Sequence, residues 1–161
     1  MPLDQFNGYH LIPAMLVGVT PFFTRDDYEH YLSRLHALPG ALQNMSDATR
    51  AGMEDALMPP KFLLAAVVRQ AAALAVRGKD SPFAQPVAKF PDSIPEAEQK
   101  RLRADVLRAI DRDVAPAYER LAAFVKDEYG PKGRTQEANI RTRCTARWIN
   151  SSTVCPRPVC P

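Results

Sequence analysis

Up to Gly130 this sequence lacks cysteine altogether, holds three histidines, and shows no positive charge excess. The first absence rules out disulfides and thiolate metal sites in that part. The third removes the basic surface that a pI of 8.9 would otherwise suggest, because residues 1–130 carry 15 Lys+Arg against 17 Asp+Glu. All of the positive excess lies in the remaining 31 residues, with 6 Lys+Arg against 1 acidic residue, together with the one Trp (Trp148) and Cys144, Cys155 and Cys160. No strongly apolar run approaches the roughly 20 residues that span a bilayer; Phe62–Val68 stops at Arg69 and reads as a buried helix segment. The start, Met1-Pro-Leu-Asp4, has neither a basic region nor an apolar core of a signal peptide, so the sequence alone predicts a cytoplasmic chain. A Gly-rich phosphate loop and a G-x-S-x-G elbow are missing too, and no strand-period alternation of useful length occurs before the tail.

What is present is helical. Thr24-Arg-Asp-Asp27 sets a capping hydroxyl three residues before a carboxylate, and Tyr28, Leu32, Leu35 and Leu38 follow at helical spacing. Pro39-Gly40 predicts the end of that helix, and a second is expected from about Ala41 to Leu57 with Leu42, Met45, Thr49, Met53 and Leu57 on one face. Pro60 can start a third helix running to Arg77, stopped by Gly78. Residues 79–95 hold Pro82, Pro86, Pro91 and Pro95 and predict an extended connection pinned by Phe83 and Phe90. From Pro95 a long helix carries Leu102, Val106, Ile110 and Val114 at spacings of four, then Leu121, Phe124, Val125 and Tyr129; Pro116 predicts a kink near Ala115, and Gly130-Pro131 ends it. The expected fold is all-α: antiparallel helices with a Pro-rich connection, a kinked long C-terminal helix, and a disordered tail. Residues 1–130 form the helical part and 131–161 the Arg/Cys/Pro-rich tail.

Candidate chemistry is sparse. A zinc hydrolase needs about three protein ligands and a carboxylate to take the proton of the metal-bound water. His30 and His36 lie six apart, on different faces of one helix, and no His-Glu dipeptide opens an H-E-x-x-H motif. They read as surface or half-buried helix residues and His10 as a loop residue. In the tail, Cys155-Pro-Arg-Pro-Val-Cys160 with Cys144 offers a three-thiolate site, one disulfide with a free thiol, or three unpaired thiols; the spacing and the absent fourth ligand favour the last. Trp148 and the tail's basic residues are spread without a recognisable nucleic-acid-binding fold, so no nucleic-acid partner is assigned. Glu96, Glu98, Asp105, Asp111 and Asp113 fall among basic residues on an expected solvated face. No catalytic, cofactor-binding or metal residue is therefore assigned.

The order of Gln5-Phe-Asn-Gly-Tyr-His10, Pro21-Phe-Phe-Thr24, Asp27-Tyr-Glu-His-Tyr-Leu32, Arg34-Leu-His-Ala-Leu-Pro39, Ser81-Pro-Phe83 and Pro116-Ala-Tyr-Glu-Arg-Leu121 resembles the bacterial family called domain of unknown function 885. The resemblance implies a largely helical protein, longer in other members, often exported or lipid-anchored. It also implies a likeness to zinc peptidases, carried by a His-Glu motif and a later Pro-Gly-His that this chain does not contain. In this reading zinc belongs to full-length members and not to this chain. The resemblance is lost soon after Glu128-Tyr129, where a frameshifted or truncated product is expected, with Met1 matching the interior of longer members. Two functions follow. The chain is a non-catalytic portion of a zinc-peptidase-like hydrolase, with faces such as Leu102-Val106-Ile110-Val114 left partly uncovered. Alternatively it is a stand-alone helical interaction module that homodimerises over those faces.

Overall fold

The computed structural model describes residues 8–54 and 58–135. Five α-helices are present there: α1 (Ile12–Val19), α2 (Arg25–Glu54), α3 (Lys61–Leu74), α4 (Glu96–Ala109) and α5 (Ala115–Phe124). Among the described residues there is no strand, only one isolated parallel bridge between Pro60 and Arg134. The all-α expectation therefore holds. Those about Cys144, Cys155, Cys160, Trp148 and residues 136–161 lie outside the described residues.

The largest departure is at Pro39-Gly40, where the expected break does not occur and α2 continues for 30 residues, about 45 Å. Proline inside a helix removes one backbone hydrogen bond and costs roughly 3 kcal/mol. Against that stands a single stripe, Tyr28, Tyr31, Leu35, Leu38, Leu42, Met45 and Thr49, that stays buried across the proline. Each large side chain so buried contributes about 1.5–3 kcal/mol, and a break would turn the second half of the stripe out of register with the first. Burial outweighs the local penalty. At the N-terminus the expected cap is in place: Thr24 Oγ1 donates to Asp27 Oδ2 at 2.9 Å, and Thr24 N–H donates to the same oxygen at 2.8 Å. These bonds hold the Asp27 carboxyl below its usual range.

Residues 96–129 form one rod in which α4 and α5 are joined by a π-turn, Ile110–Val114, and a second π-turn, Val125–Tyr129, follows α5. The expected irregularity near Ala115 takes this form. The Ala115 N–H reaches back five residues to Ile110 O, which places Pro116 in the first turn of α5, where a missing N–H costs least. The rod ends at Gly130, whose N–H donates to Val125 O at 2.7 Å. Beyond it, residues 131–135 stay in contact with the body although the sequence reading assigned them to the tail. Arg134 N–H donates to Pro59 O at 2.9 Å, Lys61 N–H donates to Arg134 O at 3.0 Å, and Gly133 lies close enough to Lys61 and Leu64 that a Cβ would clash.

Ties between helices fix their directions. Glu29 pairs with Arg101, His36 with Asp113 and Arg50 with Glu128, so α2 and the rod run the same way. α3 runs against both, its start beside Gly133 and the residues beyond its end at Asp111 and Glu119. It stops at Leu74, before the expected Arg77, and Gly78 adopts a left-handed φ of 65°. The Pro-rich connection then returns to the start of the rod in two 3-10 turns, Gly78–Asp80 and Pro82–Val87, more tightly wound than the extended path expected. Phe83 and Phe90 do pin it: both are buried, Tyr31 Oη donates to Phe83 O at 2.7 Å, and the Phe90 ring sits 4.9 Å from that of Tyr28.

The core is a continuous cluster from Val17 to Tyr129. Leu102, Val106, Ile110 and Val114 are all 0% exposed within it. The expectation that this seam lies partly uncovered is overturned: α2, α3 and the connection close over the rod from the same chain.

Candidate functional site

The three histidines are dispersed. His10 lies in the turn before α1, a loop residue as expected, and is fully buried there; its Nε2 lies 3.2 Å from Gln70 Oε1, and its carbonyl accepts the Tyr118 hydroxyl at 2.7 Å. It ties the segment before α1 to α3 and α5. His30 is exposed, and His36 is exposed with Nδ1 2.7 Å from Asp113 Oδ2. Among the described residues no three His, Cys, Asp or Glu side chains group so as to hold a metal ion.

The carboxylates singled out in the sequence act as braces. Glu96 meets Lys100 at 2.7 Å, Glu98 meets Arg101 at 2.9 Å, and Asp105 meets Arg108 at 3.0 Å, all within α4 as the spacing predicts. Asp111 and Asp113 differ from the solvated face expected for them. The π-turn offsets them, so Asp111 Oδ1 accepts the Gly78 N–H at 2.8 Å while Asp113 turns to His36 on α2. A polar cleft of about 500 Å³ lies there, lined by Glu29, Ser33, His36, Asp105, Arg108, Arg112 and Asp113. Glu29, Arg108 and Asp113 are engaged in the ties that hold α2 to the rod or stiffen α4.

A different surface is unsatisfied. α1 reads Ile-Pro-Ala-Met-Leu-Val-Gly-Val, without a polar side chain, yet only Val17 is buried. Ile12 is 39% exposed, Met15 67%, Leu16 48% and Val19 76%. Between α1 and α2 runs an apolar groove of about 260 Å³, floored by Leu16, Val17, Tyr31, Leu35, Leu38 and Phe83, with Arg34 at its rim. Small-molecule sites are usually about 300–1,000 Å³, so this groove suits inserted side chains better than a cofactor. The sequence analysis begins its helices at Thr24 and does not include α1; its signal is the unbroken absence of polar residues from Leu11 to Val19.

Tyr31 floors the groove, and a second buried phenol, Tyr118, packs its ring 5.8 Å from that of Phe83. Burial pushes the Tyr31 and Tyr118 hydroxyls well above their ordinary range. A phenol whose folded pKa is raised contributes stability that is complete below its unfolded pKa and is lost as pH rises beyond it, since the unfolded chain releases its protons first. The thermal midpoint is expected to fall between about pH 9.5 and 11.5, and the Tyr31→Phe/Tyr118→Phe double variant to flatten that fall. Equal slopes for both proteins would contradict the assignment.

A family model described as a bacterial protein of unknown function, DUF885, matches residues 1–152. The match continues past Gly130, the point near which the sequence reading ends the resemblance. No curated protein matches the chain.

Proposed function

Because the chain belongs to the bacterial DUF885 family, whose function is unknown, we propose that it acts as a self-supporting, non-catalytic helical interaction unit. One observation carries this reading: the Leu102-Val106-Ile110-Val114 seam is closed within the chain, while an apolar helix remains open on the surface. A helix apolar on all sides is ordinarily covered, so α1 is the face offered to a partner. The paired histidine and carboxylates support the non-catalytic part, since each has a structural task. In this reading zinc and peptide hydrolysis belong to longer zinc-peptidase-like relatives, and this chain requires no metal to fold.

Thermal unfolding by circular dichroism, with added zinc and with excess EDTA, tests the proposal. One cooperative transition at the same midpoint in both conditions is expected. A gradual, non-cooperative melt, or a midpoint lowered by EDTA, would contradict it.

A further inference from the structure

We propose that the open face of α1 pairs with the same face of a second copy of this chain, antiparallel across a two-fold axis. The inference rests on the reading of the chain as an interaction unit and names its partner. The outward residues Ile12, Met15, Leu16 and Val19 stand at i, i+3, i+4 and i+7, the stripe that one helix turns toward another. That spacing is the same read from either end. A two-fold pairing therefore sets Ile12 of one copy against Val19 of the other and Met15 against Leu16, as a self-complementary contact requires. α1 itself carries no charge. Ridge and hole occur on the same surface, since the 260 Å³ groove lies beside the stripe and can take side chains from the opposing copy.

The available area is of the right size. Tyr9 and Phe23 flank α1 in the chain and are 64% and 71% exposed. With the four stripe residues, at about 200 Å² for a large side chain, they offer on the order of 700 Å² per copy, near the roughly 800 Å² per partner of a standard interface.

Sedimentation equilibrium on the full chain, with a reductant present to keep its cysteines from bridging, tests the pairing. The wild type is expected to be a dimer that dissociates on dilution. Val19→Lys is expected to weaken the dimer at least ~100-fold by placing an unpaired charge in the contact, with an unchanged far-UV spectrum because this side chain is outside the core. The double variant Ile12→Glu/Val19→Lys sets opposite charges against each other between copies and should recover much of the affinity, whereas in any other arrangement it adds a second unpaired charge. A wild type monomeric at every concentration, or a dimer indifferent to Val19→Lys, overturns the pairing. Either result, beside a cooperative melt, leaves the self-supporting helical unit standing and removes only the second copy as its partner.

Discussion

Leu102→Ala is expected to lower the unfolding free energy by about 3 kcal/mol, within the 2–5 kcal/mol usual for truncating a fully buried leucine. Leu102 is 0% exposed where α4 meets α2 and the Pro82–Val87 turn. Removing its branch loses the transfer free energy of the methyl groups and leaves a void that helices tied at Glu29–Arg101 and His36–Asp113 cannot readily close. Urea unfolding measures it: the midpoint should drop with the slope unchanged. A loss under about 1 kcal/mol would mean that the seam is wet, as an uncovered fragment would have it.

Phe83→Ala should be at least as damaging, by about 3–5 kcal/mol. This side chain is 0% exposed although it sits in a segment of prolines without an α-helix. Its ring centroid is 5.8 Å from that of Tyr118, its carbonyl takes the Tyr31 hydroxyl, and it floors the groove beside α1. With Val87, Phe90 and Ile94, which are buried too, it anchors the connection on the body. Phe83→Leu, which keeps most of the volume, should cost much less. If alanine and leucine cost the same in chemical unfolding, the ring is not the anchor.

Much of this architecture was legible because burial follows helical spacing. Leu102, Val106, Ile110 and Val114 were readable as one face, and the Thr24–Asp27 cap and the Phe83 and Phe90 anchors stand where local rules put them. Pro39 was misread because a local breaker was weighed alone. The stripe from Tyr28 to Thr49 keeps its phase through the proline, and that continuity was the better guide. Pro116 signalled an irregularity without its form, a π-turn that offsets Asp111 and Asp113 toward partners on other elements. His10 gave no local sign of burial, because its surroundings come from Gln70 and Tyr118, far away in sequence. The docking face was visible only as an absence of polar residues along α1. The covering of the main seam was not visible at all, since it depends on the direction in which α3 and the connection return.

The central claim is that this chain closes its own core. Amide hydrogen exchange followed across α2 and residues 102–114 tests it most directly. Exchange that occurs only through global unfolding, with the same free energy in both elements, is the predicted result. Rapid exchange along the rod, while helical circular dichroism persists, would show an open, fluctuating assembly and contradict the account.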